Sequence, residues 1–202
     1  MNKRIPKVLY HSSPNLEIKI FEPRREKVRD PEEGPVVFAT PDKALAAAFL
    51  VRTDGSWVKI GRFSDNNKQT PWHLVTKNKR RFRKLDVGGA IYHLPPKGFS
   101  SDPTKGMGDM EWTNTKKVRP IKKEVYTSGE QAMKELGVNL YFVNRRTFRA
   151  INKSKDHGRK IILSLSPESE FQQLPASSNN ITSVLLSQVC TCYLVLAPFG
   201  MM

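Results

Sequence analysis

All 34 lysines and arginines of this 202-residue chain lie at or before Lys160, and the stretch beyond carries only Glu168 and Glu170 as charged residues. Residues 1–160 therefore hold 17 of the 19 acids and a net charge of +17. A division this sharp limits where a soluble fold can be built. We place a folded domain at 1–150, a basic connector at 151–160 and an uncharged apolar or poorly ordered tail at 161–202. The length suits one domain of about 100–200 residues with an extension. A whole-chain charge of +15 and an isoelectric point near 10.0 favour an anionic partner. Nucleic acid, an anionic membrane surface and a phosphate-rich small molecule all answer to that sign.

Within the tail, the uncharged run 181–199 is nearly long enough to span a bilayer, but Ser183, Ser187, Gln188 and Thr191 interrupt it. An apolar strand or a poorly ordered extension outweighs an anchor. Cys190 and Cys192 are the only cysteines, and one close pair supplies neither a disulfide framework nor the four ligands of a structural zinc. A reducing compartment and a cytoplasmic location are the expectation. Lys3, Arg4 and Lys7 precede no apolar run of signal-peptide length before Pro14.

Fourteen prolines and twelve glycines divide the chain into short elements and argue against a helical bundle. The runs at 8–10 and 36–38 read as buried strands. After the second, Thr40 is a good N-cap, Pro41 suits the first helical position and Asp42 suits a positive helix end, ahead of the helix-forming run 44–50. Further strands are expected at 57–63, 72–76, 90–94, 111–116, 118–126 and 140–143. A second helix opens on the capping pattern at Ser128 and stops before Gly137, with Glu130 and Lys134 at i,i+4 spacing. The expected class is α+β, a split β core with two short helices and a C-terminal extension.

No phosphate-binding glycine loop, HExxH motif or paired Cys/His spacing is present. Three strand ends instead carry polar or aromatic groups: Tyr10-His11-Ser12-Ser13, Phe38-Ala39-Thr40, and Asp109-Met110-Glu111 after a glycine-rich loop. At VLYHSSP, GPVVFATPDKALAAAF and GDMEWTNTKKVRPIKKEVY, over about residues 7–145, the sequence resembles the ADP-ribosyltransferase-like superfamily. In that family a strand-end His, a middle aromatic followed by a helix, and a Glu opening a later strand surround NAD.

The resemblance implies that NAD is the cofactor, that His11 and Ser13 meet its adenine-side ribose, and that Phe38, Ala39 and Thr40 border the nicotinamide end. The family often has tyrosine where Phe38 stands, so stacking is kept and a hydroxyl is lost. Glu111 would bind the nicotinamide ribose and stabilise the oxocarbenium-like transition state as the glycosidic bond breaks. Asp109, on the same strand face if the strand extends that far, would orient an acceptor. Arg24 and Arg25 suit cofactor phosphates, because guanidinium forks match phosphate oxygens.

Each of these residues also has a plainer reading. His11 reads equally as a hydrogen-bonded strand end, Phe38 as core and Glu111 as a solvated carboxylate. Six cations crowd 77–84, with Arg80, Arg81 and Arg83 the candidates for nucleic-acid contact, and a second basic run occupies 116–123. Either run also reads as a solvated face. The function expected is NAD-dependent ADP-ribosyl transfer to an RNA, DNA or protein acceptor. The alternatives are an NAD-dependent RNA 2′-phosphotransferase and a nonenzymatic basic nucleic-acid-binding module.

Overall fold

The computed structural model describes residues 5–25, 34–65 and 68–167. These belong to a unit that runs Met1–Ser169, and a second unit spans Glu170–Met202. The apolar run 181–199 and both cysteines lie outside the described residues. Among the described residues no helix is long and apolar enough to cross a membrane.

The strands are β1 (Leu9–Ser13), β2 (Val37–Ala39), β3 (Val58–Gly61), β4 (Ser64–Asp65), β5 (Lys68–Gln69), β6 (His73–Thr76), β7 (Gly89–Leu94), β8 (Trp112–Asn114), β9 (Lys122–Tyr126) and β10 (Asn139–Phe142). The helices are α1 (Lys43–Ala48), α2 (Lys79–Leu85), α3 (Gly129–Glu135), α4 (Arg145–Lys153) and α5 (Arg159–Leu163). The class is mixed α+β with several small sheets. Among the described residues five helices replace the two that were expected: α2 and α4 carry many charged residues and few inward apolar ones, and α5 is only five residues long.

One sheet is antiparallel in the order β1-β7-β9, with Leu9 opposite Leu94 and Gly89 opposite Tyr126. A second has the order β10-β6-β3, in which β10 runs parallel to β6 and β3 antiparallel to it. The short strands β2 and β8 pair with each other. Side-chain alternation on β7 sends Ala90, Tyr92 and Leu94 into one core cluster with Leu9, Ala39 and Trp112, and Ile91 into another with Leu45, Leu74 and Met133. The first sheet thus separates two cores.

At Gly88, φ is +70°, and a Cβ there would lie 2.4 Å from the Tyr126 carbonyl. Only glycine fits this tight entry into β7.

Helix α1 starts two residues later than its sequence suggests. Asp42 is extended (φ −107°, ψ 111°) and its Oδ1 accepts from the Ala44 and Leu45 amides, so Asp42 is the cap and Thr40 is not. The Thr40 hydroxyl instead accepts from the Asp42 amide at 3.2 Å. Helix α3 is capped as expected, with Ser128 accepting from Gln131 N and Lys134 paired to Glu130 at 3.1 Å.

The boundary expected near 150 falls inside α4. Ile151 and Ile162 are buried with Val75, Tyr141 and Phe148 in a third cluster, so the segment expected as a connector and the start of the tail pack onto β6 and β10.

Candidate functional site

Strands β1 and β2 belong to different sheets and meet at an isolated bridge. Tyr10 N donates to Thr40 O at 2.7 Å, and Thr40 N donates to Tyr10 O at 2.9 Å. On its other side β2 pairs with β8, Ala39 facing Trp112 and Phe38 facing Thr113. The pairing ends at Ala39 and Trp112, and Glu111, the residue before Trp112, has an extended backbone (φ −122°, ψ 124°) whose amide donates to the Gly108 carbonyl at 3.0 Å.

Next to the bridge the His11 side chain reaches across. Its Nδ1 lies 2.7 Å from the carbonyl oxygen of Phe38. A carbonyl only accepts, so Nδ1 carries the proton, and in the neutral ring Nε2 is then the acceptor. The ring also packs on Phe21, with centroids 4.6 Å apart.

Where β1 and β2 part, a cavity of about 360 Å³ opens. Tyr10, His11 and Ser12 line one wall, and Phe38, Ala39 and Thr40 the next. Leu45, Ala46 and Phe49 come from α1 and its end, and Met107, Met110 and Glu111 close the fourth side. The Ser12 hydroxyl donates to the Ala46 carbonyl, tying β1 to α1. The volume lies within the range of about 300–1,000 Å³ common for small-molecule sites. Apolar surface dominates the lining, with an imidazole and a carboxylate at its edges. That combination holds a flat ring and grips hydroxyls beside it.

Two sets of contacts fix these walls. Asp42, besides capping α1, accepts through Oδ2 from Trp72 Nε1 at 2.7 Å and from Arg62 Nη1 at 3.3 Å. Arg62 lies over the Trp72 ring, 4.5 Å from its centroid, and its Nη2 is 3.1 Å from Met110 Sδ. The start of α1 and the residue before Glu111 are thereby held by one bracket.

On the other flank Lys43 pairs with Glu124, which also meets His93 Nε2 at 2.8 Å, and His93 packs edge-on to Tyr10 at 5.0 Å. The Glu124 carboxyl is held down to about 2, first by the Lys43 hydrogen bond. Hydrogen bonds from Lys122 and His93 act in the same direction against an opposing burial effect.

Of the residues singled out in the sequence, His11, Phe38, Ala39, Thr40 and Glu111 line this one cavity. Ser13 does not, and its hydroxyl accepts from the Asn15 amide at 3.1 Å in a turn. Ser12 occupies the wall position expected for it. Arg24 is exposed and pairs through its backbone with Val36, away from the lining.

Asp109 is exposed on the 3₁₀ turn Gly108–Met110, because β8 begins only at Trp112. The strand face assumed for it is absent, and its carbonyl accepts from the Trp112 indole at 3.2 Å. Arg80, Arg81 and Arg83 sit on α2, none of whose residues lines the cavity. The sequence does not mark Asp42, Arg62, Met107 or Met110 as site residues. The repeat Gly106-Met107-Gly108 is the one local sign that the chain turns sharply before Glu111, and Gly106 and Gly108 have φ of +53° and +58°.

No family model, curated protein or solved structure matches the chain.

Proposed function

We propose that the cavity binds NAD and that the chain is an ADP-ribosyltransferase-like enzyme acting on a macromolecular acceptor. The finer fold reading, a split β core of that superfamily, belongs to the same proposal. The observation that carries it is the meeting of His11, Phe38 and Glu111, from three distant parts of the sequence, on one cavity of about 360 Å³. The apolar wall of Phe38, Leu45 and Phe49 suits the nicotinamide ring. His11 offers a ribose hydroxyl an oriented imidazole edge.

In this reading the bond between the ribose C1′ and the nicotinamide nitrogen breaks, and its electron pair leaves with nicotinamide, neutralising the pyridinium. The ribose carries positive charge until the acceptor's nucleophile bonds to C1′ and gives up its proton. Breaking the bond moves the positive charge from the pyridinium ring to the ribose, and the Glu111 carboxylate, a fixed anion beside the ribose in this reading, favours the transition state in which that shift is under way.

The test is nicotinamide release from labelled NAD by the full chain and by Glu111→Gln, which keeps shape and removes charge. We expect saturable NAD binding by both proteins and release slowed by roughly 100-fold or more in the variant, on the order of 3 kcal/mol. Failure of the wild type to bind NAD, or equal turnover by the two proteins, overturns the proposal.

A further inference from the structure

We propose that α2 and the β10–α4 segment form one basic face that binds the phosphodiester backbone of nucleic acid without reading its sequence. The inference does not depend on NAD binding. Strands β6 and β10 are parallel neighbours, with Thr76 opposite Phe142, and each runs directly into a helix, so α2 and α4 leave the same edge of the sheet. Ring contacts join the two segments. Lys79 Nζ lies 5.0 Å and Arg83 Cζ 5.9 Å from the Phe142 ring centroid, and Lys77 Nζ lies 5.2 Å from that of Phe148 on α4.

Residues 77–84 contribute six cations and residues 145–155 five, with no Asp or Glu in either stretch. Arg81 is answered by Asp54 at 3.5 Å and Arg83 by Glu130 at 3.3 Å. Arg80, Lys84, Arg145, Arg146 and Arg149 are exposed, and their side chains make no ion pair or hydrogen bond among the described residues. That much uncompensated charge of one sign is repulsive unless a polyanion meets it.

The chemistry of the face favours nucleic acid over its competitors. Phe148 and Ile151, the apolar residues of α4, are buried, and no large hydrophobic side chain is exposed in either stretch. An anionic bilayer is held by an apolar helix face as well as by charge, and a protein partner by buried aromatic or aliphatic anchors. Neither is offered here. Four of the uncompensated cations, Arg80, Arg145, Arg146 and Arg149, are arginines, whose planar fork fits two phosphate oxygens at once.

Anisotropy titrations of the full chain with a labelled RNA oligonucleotide and a labelled DNA duplex, over about 50 to about 200 mM salt, test this. Binding should weaken steeply with salt. Arg145→Gln/Arg146→Gln/Arg149→Gln should bind on the order of 10-fold or more weakly and lower the log–log salt slope by about 2, near 0.7–0.9 for each phosphate no longer neutralised. Arg80→Gln/Lys84→Gln, on α2, should lower it as well, and carries the test alone if the α4 variant fails to fold by circular dichroism. Lys105→Gln/Lys116→Gln/Arg119→Gln removes the same charge from loops elsewhere and should keep the wild-type slope. Equal loss in that control, a wild-type slope in folded α2 or α4 variants, or tighter binding to polyglutamate or phosphatidylserine vesicles than to either nucleic acid overturns the proposal.

Discussion

His11 donates through Nδ1 to the Phe38 carbonyl across 2.7 Å, so a backbone acceptor helps orient the ring at the seam between β1 and β2. The bond ties the ring's position to the strand that carries Phe38 and Thr40. It also decides which nitrogen accepts, since the one facing the carbonyl must hold the proton. Two strands from different sheets are thus closed by one bridge at Tyr10 and one imidazole, with the cavity immediately beside them.

The first prediction concerns that ring. His11→Ala removes a half-buried polar contact without opening a large core void, so NAD affinity should fall on the order of 10-fold while the melting temperature moves by only a few degrees. Paired calorimetric titration and thermal melting measure both. Unchanged affinity in a folded variant takes His11 out of the site. Asp109→Asn, on the exposed turn outside the cavity, should leave nicotinamide release within about 2-fold of wild type, as expected for a surface change.

The strand ends that form the site are legible in the sequence because apolar runs there stop abruptly at polar residues, as at Tyr10-His11 and Phe38-Ala39-Thr40. Their meeting is not legible, because it depends on β2 bridging two sheets that local periodicity treats separately. Ser12 and Ser13 are indistinguishable in a four-residue motif. The fold separates them, turning Ser12 to Ala46 and Ser13 to the Asn15 amide. Thr40 and Asp42 are both good caps, and only the extended backbone at Asp42 decides between them. Helices α2 and α4 are hidden by charge, since Phe82 alone marks the buried side of one, and Phe148 and Ile151 that of the other.

Asp42 carries the second prediction, because one carboxylate caps α1 and accepts from both Trp72 and Arg62. Asp42→Ala loses the cap, worth about 1 kcal/mol, and leaves an indole N–H and a guanidinium without their acceptor, a further cost of roughly 1–3 kcal/mol. Denaturant unfolding should register the sum. Arg62 would also lose its anchor beside Met110, so NAD affinity should weaken along with stability. Asp42→Asn keeps an oxygen for the cap and should fall between the two. If Asp42→Ala matches wild type in stability, the bracket is not holding the site walls.

The last prediction is a pH dependence with its sign set by burial. His73 is 3% exposed on β6 and stacks on Phe63 with ring centroids 4.7 Å apart. Burial, and then the nearby Lys59 charge, push its imidazolium down to about 4 from an ordinary value of 6.5. Above pH 6.5 both the folded and the unfolded chain hold this ring neutral, and its stabilising contribution is complete. As pH falls below 6.5 the unfolded chain binds a proton that the folded one refuses, so stability drops through the window from 6.5 to about 4. The full loss is on the order of 3 kcal/mol, since each tenfold weakening of proton affinity is worth about 1.4 kcal/mol. His73→Leu keeps an apolar side chain against Phe63 and cannot titrate, so its stability should decline less steeply between pH 6.5 and about pH 4.5 than that of the wild type. Urea midpoints at several pH values measure the two slopes. If wild type and variant decline in parallel, the acid sensitivity originates elsewhere and His73 is not the buried group that sets it.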